Sequence, residues 1–147
     1  MNSRAYDYGA LISRVALGLV LLAHSVYLKL VVYTLPGTAQ FFASIGLPAS
    51  SAYIVFAVEA LAGVGLIVGY YVRVAAALAI PILLGATWVH SANGWLFTNG
   101  GGGWEYPMFL ASIAVAQIFL GPGALNLPTR DAAPSNDLDR EQVPHGT

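Results

Sequence analysis

A helix needs about 20 consecutive apolar residues to cross a hydrocarbon core about 30 Å thick. Set against that length, the chain divides into four apolar runs, at about residues 11–32, 51–71, 74–95 and 106–120, the last being the shortest. Turn-forming and polar stretches separate them: "TLPGTAQFFASIGLP" after the first run, "YYVR" between the second and third, and "LFTNGGGGWE" before the fourth. Lipid offers no partner for an unpaired backbone N–H, so each run is predicted to be helical. One tight turn and two longer connections on the opposite side predict an all-α, up-down-up-down four-helix membrane bundle over residues 1–127. The remainder, "PTRDAAPSNDLDREQVPHGT" at 128–147, has too few apolar residues to bury a core of its own and is expected to be a polar, disordered tail. The first run continues past His24 to Lys29 without a small-x-small cleavage pattern, so it is read as a retained helix rather than a signal peptide.

Composition sharpens this picture. Hydrophobic residues make up 57% of the 147, and charged residues only 9%, against about 25% in a soluble domain. Six charged residues lie in the last twenty positions, which leaves seven for the first 127. The formal net charge of −1 and the lack of a basic cluster exclude nucleic-acid binding, which needs cations to displace phosphate counterions. The chain has no cysteine, so it holds no disulfide, thiolate metal site or CxxC redox pair of its own. Arg4, Arg14, Arg73 and Arg130 fall on one side of the bundle and Lys29 on the other. The positive-inside rule then places both termini on the cytoplasmic side, and reads Arg14 and Arg73 as topology anchors that snorkel to the interface.

The same reading gives packing expectations. Gly65 and Gly69 form a small-xxx-small pair, "AAALA" at 75–79 offers a smooth face for close helix approach, and Pro81 is expected to kink the third span. The glycines of "GGGG" at 100–103 read as a flexible hinge over the outer mouth. Pro107 suits a first helical turn, and Glu105 before it sets a negative charge at the positive end of the helix dipole. Trp95, Trp104 and Tyr106 suit the headgroup level.

The ionisable residues carry the candidate chemistry. At a rise of about 1.5 Å per residue, His24, Lys29, Glu59, His90 and Glu105, drawn from all four spans, converge on the outer half of the bundle. Each costs about 2.5–3.5 kcal/mol to place in a membrane, so a polar cavity in which they compensate one another is expected. His24, Glu59, His90 and Glu105 are the candidate catalytic groups, and Lys29, Trp88 and Trp104 the candidate ligand-binding ones. A bland alternative stands beside each: Glu59 pairing with Lys29, His24 as a hydrogen-bonding core residue, His90 solvated at the interface, and Glu105 serving only its helix. No metal site is assigned, because no single helix carries a Glu-x-x-His or His-x-x-x-His spacing.

Five segments taken in order carry a family resemblance: "RVALGLVLLAHS", "GTAQFFASIGLP", "VEALAGVGLIVGYYVR", "WVHSANGWLF" and "GGGWEYPMFL". Together they resemble the DoxX family of small bacterial membrane proteins, over about residues 11–127. The resemblance implies a four-helix inner-membrane protein associated with oxidoreductase systems. Arg14, His24, Lys29, Glu59, Arg73, His90 and Glu105 match the family's polar pattern. Relatives often carry Gly after the first-helix His and Lys one step sooner; here Ser25 follows, and His24 and Lys29 are five apart. On a regular helix that spacing sets their side chains about 140° apart, which argues against joint action. Four functions stay open: a component of a membrane oxidoreductase that binds a quinone or similar molecule and works with a redox partner protein; a non-enzymatic binding or transport protein; a metal or haem protein; and a scaffold. No cofactor is assigned beyond the candidate quinone.

Overall fold

The computed structural model describes residues 3–129, so the tail from Arg130 onward lies outside the described residues. Helix α1 (Ser3–Leu22) passes without a break into a π-helical stretch, Ala23–Val32. There follow α2 (Leu35–Ser44), α3 (Ser51–Val68), α4 (Val72–His90) with a short 3-10 turn at Ser91–Asn93, and α5 (Glu105–Leu120). No strand occurs among the described residues. Neighbours pack in a closed ring, α1 on α3, α3 on α4, α4 on α5 and α5 back on α1. This is the expected up-down-up-down bundle. The start of α1, the segment after α5 and the α3–α4 turn lie together at one end, the terminal end. The far end carries the π stretch, α2 and the α4–α5 loop. Arg4–Val32, Ser51–Val68 and Val72–Asn93 are each long and apolar enough to cross a membrane, while α5 is shorter.

The element boundaries have local causes. Helix α3 stops at Gly69, whose φ of 75° an L side chain disfavours, and the Tyr70 N–H closes the end on the Gly65 carbonyl at 2.8 Å. Gly69 is therefore a helix terminator and not the second half of a packing pair with Gly65. The close approach of α1 and α3 comes instead from Gly18 and Gly63: a Cβ on Gly18 would stand 2.8 Å from the Gly63 carbonyl oxygen. The alanine face behaves as expected, with Ala75, Ala76 and Ala79 buried in the core beside Leu17, Leu21, Leu66 and Ala114. Helix α4 runs on through Pro81, which is exposed.

Three elements depart from the expected ranges. The first helix begins at Ser3, eight residues earlier than residue 11, because an apolar run marks only the part suited to lipid. Its polar start is held by the bundle: Tyr6 Oη donates to the Leu120 carbonyl at 3.0 Å and the Ala124 N–H to that of Asp7 at 3.0 Å. The first connection holds α2, started by the Thr34 hydroxyl accepting from the Gly37 N–H at 3.2 Å and by Pro36 in the first turn. Helix α4 ends at His90 rather than near Trp95, and the chain turns away at Gly94.

Candidate functional site

At the far end, α3 carries Glu59 inward and the π stretch carries Lys29 towards it. Lys29 Nζ donates to Glu59 Oε2 at 2.6 Å, and both side chains are largely shielded, at 16% and 7% exposure. Such a pair offsets much of the desolvation each charge would otherwise suffer.

The π winding changes the relation between His24 and Lys29. Ser25, fully buried, turns its hydroxyl onto the Leu21 carbonyl at 2.8 Å, the acceptor its own N–H would use in an α-helix. From Ala23 the helix winds with i→i+5 bonds. Positions 24 and 29 are then joined by one turn instead of being thrown to opposite flanks, so the 140° separation expected of a regular helix does not hold. His24 lies within charge-interaction range of both Lys29 and His90. It is exposed, with its ring centroid 6.5 Å from that of Tyr106 in the first turn of α5. His24, Lys29, Glu59 and His90 thus gather at one level, from three segments of the chain.

The other candidates are committed to the loop between α4 and α5. His90 Nδ1 lies 3.2 Å from the Gly102 carbonyl oxygen, which also accepts from Asn93 Nδ2 at 2.8 Å. Glu105 Oε1 accepts from the Phe97 N–H at 2.9 Å, while its own N–H donates to the Trp95 carbonyl at 3.2 Å. Trp104 stands edge-on to Trp95, centroids 4.5 Å apart. Gly103 is buried where any Cβ would run into the carbonyl oxygens of Trp95 and Leu96. The glycine run is therefore a fastened turn and not a free hinge. Trp88 is exposed and lines an open groove of about 230 Å³ with Ile45, Val89, Ser91 and Ala92, separate from the Lys29–Glu59 pair. Among the described residues, no three His, Asp or Glu side chains stand close enough to hold a metal ion.

Arg14 is a correction to the sequence reading. It is not an interfacial anchor, being 0% exposed. Its guanidinium donates to the carbonyls of Leu66 and Ile67, both at 2.6 Å, and of Pro122, Ala124 and Leu125 at 2.7–3.0 Å. It caps the last turn of α3 and clamps the segment after α5, a favourable place for a cation at the negative end of a helix. Gln117, also buried, went unremarked in the sequence; its Nε2 donates to the Gly121 carbonyl at 2.7 Å. Arg73, half-buried, lies against Gly121. Nothing in the sequence separates a clamping Arg from an anchoring one, since both stand near a span end.

The DoxX family profile matches residues 9–92. The chain belongs to the DoxX family. The matched stretch holds Arg14, His24, Lys29, Glu59, Arg73 and His90, while Glu105 and α5 follow it. One relative is a Bacillus subtilis (strain 168) protein named "Putative oxidoreductase CatD", 33% identical over 84 residues, which are 57% of this chain and 60% of that protein. The alignment thus spans less than two thirds of that relative's length. No solved structure matches the chain.

Proposed function

We propose that this DoxX membrane protein is a component of a membrane oxidoreductase system and binds a quinone or similar redox-active small molecule at His24, Lys29 and Glu59. The observation that carries the reading is the shielded Lys29–Glu59 pair with an exposed histidine beside it. A structural ion pair alone has no use for an adjacent exposed imidazole within the span. The name of the Bacillus subtilis relative points the same way.

In this reading His24 donates a hydrogen bond to a carbonyl oxygen of the ligand, Lys29 sets a positive charge near the oxygen where negative charge develops, and Glu59 takes up and passes on a proton. Reduction of a quinone to a quinol takes an electron pair and two protons, and Glu59 relays the two protons one after the other. The electrons come from a partner redox protein, since this chain holds no cysteine. His90 and Glu105 hold the loop between α4 and α5 in shape, and Trp88 and Trp104, which stand away from the Lys29–Glu59 pair, take no part in binding. The membrane is the bacterial inner membrane, with the arginine-bearing terminal end in the cytoplasm.

Titration of the purified protein with a methylnaphthoquinone, followed by tryptophan fluorescence, tests the reading. Saturable binding is expected, at least tenfold weaker in His24→Ala with the melting temperature unchanged. Absence of saturable binding in the wild-type protein refutes it.

A further inference from the structure

The bundle is uneven at the far end. Helix α5 has 16 residues, so it spans about 24 Å at about 1.5 Å per residue, some 6 Å short of a hydrocarbon core about 30 Å thick. The first helix is longer, Arg4–Val32. Tyr106, in the first turn of α5, stands level with His24, and the π stretch continues eight residues beyond it to Val32. Above His24 this stretch packs on α2 and α3 and has no comparable packing on α5, whereas the α1 portion below does pack on α5. The flank between the π stretch and the start of α5 is therefore open. It is bordered by two exposed rings, His24 and Tyr106, and backed by Lys29 and Glu59, which are shielded.

We infer that this flank is a lateral window onto the outer part of the bilayer, through which the site takes a membrane-dissolved ligand with a polar head and an apolar tail. The inference rests on the proposed quinone reading and adds to it the route and the class of ligand. The head enters above the His24–Tyr106 ring pair, where the π stretch and α5 no longer pack on each other, to reach the Lys29–Glu59 pair. The tail stays outside, along the exposed apolar side chains of Tyr27, Val31 and Phe109. The loop between α4 and α5, which His90 and Glu105 fasten through Gly102 and Phe97, stays in place as the head enters.

The chain has no cysteine, so a single one can be placed and alkylated selectively. Full-length Tyr106→Cys is reconstituted in phosphatidylglycerol–phosphatidylethanolamine nanodiscs, with and without a bulky maleimide adduct. Phe119→Cys, exposed near the other end of α5, serves as the control. The probes are a methylnaphthoquinone with and without an isoprenoid tail. The expected result is that the tailed probe binds at least tenfold more tightly than the tail-less one, that the adduct at 106 lowers its affinity at least tenfold, and that the adduct at 119 does not. Equal affinity with and without the adduct at 106, while the unmodified variant binds, overturns the window and leaves the quinone site standing. Equal binding of the two probes also overturns it. Binding of neither probe by the wild-type protein overturns both the window and the site beneath it.

Discussion

Replacing Arg14 by Met removes a cation that ties α1 to the end of α3 and to the segment after α5. Of its five carbonyl partners, that of Leu66 is bonded in a fully buried setting and the other four in partly buried ones. A buried acceptor left without a donor costs about 1–3 kcal/mol. The partly buried carbonyls recover some of their bonding from water, at about 0.5–1 kcal/mol each. The loss comes to about 3–7 kcal/mol, and about 4 kcal/mol lies both in that span and in the range of about 3–5 kcal/mol found when a buried charge partner is removed. At about 3 °C per kcal/mol for a domain of this size, the melting temperature in detergent should fall by about 12 °C. Arg14→Lys should recover about half of that, since a compact ammonium with three donors cannot fan across two helix ends. Limited proteolysis gives a second readout: in Arg14→Met, cleavage after Leu125 or Leu127 should become faster than in the wild type. A melting temperature within 2 °C of wild type, with unchanged cleavage, would refute the clamp.

The other predictions concern the site and its loop. Glu59→Ala strands the Lys29 ammonium and should destabilise by about 3–5 kcal/mol, whereas Lys29→Met with Glu59→Leu should cost much less. A double-mutant cycle measures the coupling, and additive single effects would contradict a direct pair. Gly103→Ala forces a methyl against the carbonyls of Trp95 and Leu96 and should cost about 1–3 kcal/mol, with a changed tryptophan emission as Trp95 and Trp104 separate. An unchanged spectrum and melting curve would show the loop to be looser than described.

The spans were legible in the chain because apolar length is a cumulative signal, and so was the gathering of His24, Lys29, Glu59 and His90 at one end, which follows from depth along each span. Direction around the helix was not legible. A regular 3.6-residue winding turned His24 from Lys29, and only the Ser25 hydroxyl on the Leu21 carbonyl, a contact within one turn, reveals the change to π winding. Arg14 shows a second limit, because an arginine near a span end looks the same in sequence whether it reaches for headgroups or for the free carbonyls of a neighbouring helix. The glycines show a third: Gly65 and Gly69 had the right spacing for a packing seam, yet positive φ at Gly69 ends the helix there, and the seam lies at Gly18 and Gly63. Short α2 was hidden by length alone, since 10 residues do not cross a membrane.

The most direct test of the central claim is the small-molecule content of the protein as it comes from the membrane. Organic extracts of wild-type protein, purified in mild detergent and analysed by mass spectrometry, should contain a quinone in near-stoichiometric amount, and extracts of folded His24→Ala should be depleted of it. A wild-type extract with no quinone, or His24→Ala protein carrying as much as wild type, would contradict the assignment of the site.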